Sequence, residues 1–181
     1  MRRPLRRLLD WLYDAAGYIA GFFVFAVFVV MIATSVMREL SIRIGGAEDL
    51  VAWLCAASAF FAMSHSFKHG DFVRMELLVS KLGVGQRRGA EILALAIGTA
   101  FAGYLAFWAA RITYESYEFN VMSDGLLVLP IWVPQLSFVI GSALFFIAVA
   151  DEFIRVLAGH RPTYVVAVEE RHARGDFTED I

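Results

Sequence analysis

Apolar residues fall into four long runs, about Ala15 to Met37, Leu50 to Phe67, Ile92 to Ile112 and Ile131 to Ile154, with the charges gathered between them. A helix of about 20 apolar residues crosses the roughly 30 Å hydrocarbon core of a bilayer. At about −0.3 to −0.6 kcal/mol for each central Leu, Ile, Phe or Val, each run outweighs its few Ser, Thr and Gly residues. The pattern predicts an all-α integral membrane protein with four transmembrane helices. The second run, shorter and rich in alanine, carries the weakest signal.

Ahead of the first run, Leu5, Leu8, Leu9 and Leu12 recur at i, i+3, i+4 and i+7, while Arg6, Arg7, Asp10 and Asp14 fall on the opposite face. This spacing predicts an N-terminal amphipathic helix over residues 1–14 that lies in the membrane interface, with Trp11 and Tyr13 as anchors. Residues 15–157 then form the four-helix membrane domain. The polar stretch 158–181, ending "EERHARGDFTEDI", is expected to be a flexible tail.

Composition supports the membrane assignment: 59% of the 181 residues are hydrophobic, against about 45–50% in soluble domains. Nucleic acid is not an expected partner. Four Arg near the start precede a charge-free run too long for a signal-peptide core and lacking a small-x-small cleavage site, so the run reads as a retained span. The single cysteine, Cys55, excludes an intrachain disulfide and a CxxC motif, and is expected to be a small packing residue.

Basic residues set the expected orientation. The arm carries Arg2, Arg3, Arg6 and Arg7, the middle loop Lys68, Arg74, Lys81, Arg87 and Arg88, and the tail Arg155, Arg161, Arg171 and Arg174. The first loop offsets Arg38 and Arg43 with Glu39, Glu48 and Asp49, and the third carries Glu115, Glu118 and Asp124. The positive-inside rule places both termini and the middle loop in the cytoplasm.

Candidate chemistry is sparse. No Asp, Glu, Lys, Arg or His occurs in 15–37, 50–64, 92–110 or 131–150, whereas a carrier that couples to ions by itself keeps an ionisable group at membrane depth. His65 and His69 stand at i, i+4, but two imidazoles make half of a tetrahedral site, and no metal or cofactor is expected. Asp151 and Arg155 are expected to form an interfacial i, i+4 pair. Small residues at helix-packing spacing, Gly17 with Gly21, Ala52 with Ala56, and Ala94 with Gly98 and Ala102, fit either packing within the bundle or a surface for another membrane subunit.

The stretch "HSFKHGDFVRMELL", from His65 to Leu78, mixes charge with apolar residues as a short interfacial helix would. Taken with three other segments, it resembles the small, four-span Q-type subunit of tripartite ATP-independent periplasmic (TRAP) transporters. Arg38 in "SVMRELS" matches an Arg ending span one, and Glu48 with Asp49 in "GGAEDLVAWL" match an acidic turn opening span two. Lys68, Gly70 and "VRMELL" match the basic segment after span two, and "LPIWVP", with Pro130, Trp132 and Pro134, matches the opening of span four. The family's usual His is Phe72 here and its usual Asp is Glu76, so the segment is expected to be structural.

The resemblance covers about residues 15–157. It implies a non-catalytic small subunit that braces a large permease subunit in sodium-driven uptake of an organic anion, often a carboxylate, delivered by a periplasmic binding protein to the bacterial inner membrane. It implies Arg38, Glu48, Asp49, Lys68, Arg74, Glu76 and Trp132 as candidate contacts with partner subunits or lipid. Two rival readings are the membrane anchor of a cytochrome-type redox enzyme and a self-sufficient small carrier.

Overall fold

The computed structural model describes residues 3–42, 45–69, 84–123 and 128–159. They form four helices: α1 (Arg3–Glu39), α2 (Ala47–His69), α3 (Val84–Glu118) and α4 (Trp132–Leu157). Each is long and apolar enough to cross a membrane. The four expected runs each occupy one helix, with Ile131 as the N-cap of α4. Among the described residues there is no β-strand beyond a single bridge, between Met122 and Pro130.

The arm expected as a separate helix over 1–14 is, from Arg3 onward, the first part of α1 and continuous with the span. No residue in 5–39 breaks it, and Pro4 stands in the first turn, where a missing N–H costs nothing. At 37 residues, α1 is about 55 Å long by a rise of 1.5 Å per residue, well beyond the hydrocarbon thickness. Tyr13, expected at the lipid interface, is instead 3% exposed, because it faces α2 and α4; Trp11 on the other side is exposed. The short helix expected after Gly70 and the tail from His160 lie outside the described residues.

The main helix contacts run α1 to α2, α2 to α4, and α4 to α3. The molecule is therefore a row in the order α1, α2, α4, α3, with a seam between α2 and α4. Small residues explain the closeness of that seam. A Cβ on Gly141 would stand 2.6 Å from Phe60 Cβ and 2.8 Å from its carbonyl carbon, so the two backbones approach as only glycine permits. Ser64 and Ser142 are fully buried and turn their hydroxyls onto their own helices, donating to the Phe61 and Val139 carbonyls. Phe60 and Phe138 meet edge to face with centroids 4.2 Å apart.

On one side of the seam, Ala16, Ala20 and Phe61 pack with Phe23 and Leu144. On the other, Leu95, Val149 and Val156 pack with Phe67, Ile92, Phe145 and Phe153. The outer faces are apolar and exposed: Tyr18, Phe22, Phe25, Val29 and Ile32 on α1, and Leu93, Ile97, Phe101 and Tyr104 on α3. In lipid such faces carry no hydrophobic penalty, so packing and hydrogen bonding hold the helices together.

The small-residue motifs divide accordingly. Gly17 packs under His65, a Cβ on Gly98 would lie 3.6 Å from Val149 Cγ1, and Ala102 is buried; a Cβ on Gly21 would meet nothing within 4 Å, and Ala52, Ala56 and Ala94 are exposed. Cys55, expected to pack, also faces outward. The apparent GxxxG of α1 thus combines one packing glycine with one outward glycine.

Candidate functional site

Polar side chains gather at the two ends of the row. One end, here the arm end, collects the start of α1, the ends of α2 and α4, and the start of α3. The opposite end collects the end of α1, the start of α2, and the connection from α3 to α4.

At the arm end, three helices meet around Tyr13. The Lys68 ammonium of α2 pairs with the Asp10 carboxylate of α1 and stands 5.0 Å from the centre of the Tyr13 ring, within cation–π range. His65 Nδ1 is 3.2 Å from the Tyr13 carbonyl oxygen and 3.9 Å from Asp14 Oδ1. Because a carbonyl only accepts, Nδ1 carries the proton and donates. The imidazole fits because residue 17 is glycine: a Cβ there would lie 2.7 Å from His65 Nδ1 and 2.8 Å from its Cγ.

From α4, Glu152 is buried, at 5% exposure, and 3.8 Å from Arg155, so the pair within α4 is i, i+3 rather than the expected Asp151–Arg155. A buried carboxylate needs a partner to offset desolvation, which the guanidinium supplies. Asp10, Asp151 and Glu152 all lie within electrostatic reach of the Tyr13 hydroxyl, which has no hydrogen-bond partner among the described residues.

The sequence pattern hides this junction because, on an isolated arm, Asp10 and Asp14 fall on the face opposite the leucines. They face α2 because the arm is one helix with the span. A usable signal was present: an acidic i, i+4 pair on one helix end and a basic pair, His65 and Lys68, on the next.

At the opposite end the expected contacts are placed differently. Arg38 is exposed in the last turn of α1. Glu48 is exposed and Asp49 half-buried in the first turn of α2, where carboxylates favour the positive end of the helix dipole. No ion pair joins Arg38 to either acid among the described residues. Trp132 opens α4 and packs edge to face on Tyr117 of α3, centroids 5.6 Å apart. Twenty residues separate Glu48 from Lys68 along α2, about 30 Å at 1.5 Å per residue. The candidate residues therefore form two groups, not one site. Arg74 and Glu76 lie outside the described residues.

Backbone caps close this opposite end. Asn120 (φ 49°) ends α3, with Val121 N–H donating to the Ser116 carbonyl and Asn120 N–H to Tyr117. Ser41 (φ 59°) ends α1 the same way, through Ile42 to Met37 and Ser41 to Arg38. Both are Schellman geometries. Among the described residues no three His, Cys, Asp or Glu side chains converge on a metal site. At the arm end Asp10 with Lys68 and Tyr13 with His65 pair across helices, an arrangement suited to fixing helix positions.

A family profile described as "Tripartite ATP-independent periplasmic transporters, DctQ component" matches residues 27–159, from the middle of α1 through the end of α4. The C4-dicarboxylate TRAP transporter small permease protein DctQ of Rhodobacter capsulatus is 28% identical over 140 residues, which cover 75% of this chain and 61% of the relative. The aligned part is thus less than two thirds of that relative. With all four apolar helices inside or overlapping one continuous match, the chain belongs to the DctQ component family: it is a small permease subunit of a TRAP transporter, a multi-pass inner-membrane protein and not an enzyme.

Proposed function

We propose that this subunit braces a large permease subunit in sodium-driven uptake of an organic dicarboxylate delivered by a periplasmic binding protein. The observation that carries the proposal is the charge-free depth of the four helices, which offers no group for ion coupling, combined with the family match over residues 27–159. Ion and substrate sites then belong to the partner. The row of helices, seamed at Gly141 and tied at the arm end, is a rigid plate against which a moving part can work. The relative's C4-dicarboxylate name supports the substrate class.

In this account both termini and the arm end face the cytoplasm, as the distribution of Arg and Lys favours, and Arg38, Glu48, Asp49 and Trp132 stand at the periplasmic end. Lys68 acts inside the arm-end junction. Arg74 and Glu76 follow it in sequence and are proposed contacts with the large subunit or anionic lipid. The test is the double substitution Glu48→Ala with Asp49→Ala. Uptake of a radiolabelled C4-dicarboxylate is expected to fall along with recovery of the large subunit. Unchanged uptake and recovery would remove these two residues from the interface.

A further inference from the structure

In the connection from α3 to α4, residues 121–123 and 129–131 pair as a small antiparallel ribbon. Met122 bridges Pro130, Ser123 N–H donates to the Leu129 carbonyl at 2.9 Å, and Ile131 N–H donates to the Val121 carbonyl at 3.0 Å. Among its described residues the exposed side chains, Asn120 apart, are apolar: Phe119 is 74% exposed and Val128 70%, and Val121, Met122 and Leu129 are exposed with them. From this arrangement we infer that the ribbon is a membrane-interface anchor, seated among lipid headgroups and upper acyl chains at the end of the row opposite the arm.

Three observations select lipid as the occupant. First, the ribbon's base adjoins the start of an apolar span: Val121 is hydrogen-bonded to Ile131, the residue with which the apolar run of α4 begins, and Tyr117 packs edge to face on Trp132. Second, its cross-ribbon hydrogen bonds use backbone groups that would otherwise need water, as entry into a poorly hydrated layer requires. Third, its apolar side chains continue the exposed surface of the spans through Tyr114 and Tyr117, aromatic residues of the type favoured at the interface. A partner that binds and leaves would expose five apolar side chains to water between encounters. Lipid covers them continuously. The inference concerns only this chain and the bilayer, and stands independently of the substrate and the driving ion.

The test uses the full chain, in whatever assembly it purifies, with Cys55→Ser as background and an environment-sensitive fluorophore on Val128→Cys. Met122→Cys, on the opposite strand of the ribbon, serves as the second label, and Glu118→Cys on α3 as the polar reference. The protein is reconstituted in phosphatidylethanolamine–phosphatidylglycerol vesicles, with and without lipid carrying a doxyl quencher near the headgroup. The expected result is blue-shifted emission at both ribbon positions, loss of most of that emission with doxyl lipid, and little loss with aqueous iodide; Glu118 should show the reverse. Iodide quenching of the ribbon labels without doxyl quenching would overturn the inference. Shielding from both quenchers only when another protein is bound would also overturn it, by showing a protein as the cover.

Discussion

At the arm end, side chains from three helices interlock around Tyr13, and the contacts reach across the chain: Asp10 to Lys68 and Tyr13 to His65, 58 and 52 residues apart in sequence. At the opposite end, the two helices that stop there, α1 and α3, are closed by their own backbones, through the left-handed caps at Ser41 and Asn120, and α3 and α4 touch through the edge-to-face Tyr117–Trp132 contact and the ribbon. One end therefore fixes helices relative to each other, and the other fixes where each helix stops. For a subunit proposed to act as a brace, the first kind of contact sets rigidity. The second leaves Arg38, Glu48 and Asp49 free to meet a partner.

The largest effect that separates the two ends is expected at Gly17. Gly17→Val drives a branched side chain into the His65 ring, 2.7–3.0 Å from where its Cβ would stand, an overpacking of about 1–3 kcal/mol. Gly21→Val, one turn on and meeting nothing within 4 Å, is expected to leave the chain's thermal stability in detergent unchanged. If both variants melt alike, the division of the motif into an inner and an outer glycine is wrong. A Gly21 variant that melts normally yet fails to recover its partner would place the outward face of α1 in an interface.

A smaller effect is expected for Asp10 and Lys68. Their side chains are 45% and 21% exposed, so solvent screens the pair. A double-mutant cycle with Asp10→Asn and Lys68→Met should give a coupling of about 1 kcal/mol or less that shrinks as salt rises. Zero coupling at low salt would reduce the junction to the His65 contact. The smallest effect is expected at the opposite end. Ser41→Gly relieves a left-handed strain of roughly 1–2 kcal/mol against an entropic cost of about 0.5–1 kcal/mol. A gain of a degree or two in melting temperature is expected, with no change in assembly; a loss of stability would mean that the Ser41 side chain supports the cap.

The four helices were legible because lipid solvation is additive: a run such as Ala15 to Met37 declares itself residue by residue, without knowledge of neighbours. The order of the row was not, since it depends on which small residue meets which ring, and "GYIAG" gives no sign that Gly17 turns in and Gly21 out. Asp10 and Tyr13 were misplaced for a related reason. Their pattern on an isolated helix fits an interfacial anchor, and only the continuity of α1 with its span brings them against α2. Glu48, Asp49 and Trp132 were legible as features of helix starts, and their roles toward a partner depend on surfaces outside this chain.

The central claim, that this chain is an accessory subunit with its ion and substrate chemistry in a partner, is tested most directly by affinity purification from native membranes in mild detergent, followed by mass spectrometry. The account predicts stoichiometric recovery of a large membrane protein of many spans. Recovery of this chain alone, monodisperse and able to transport a dicarboxylate in liposomes, would contradict it.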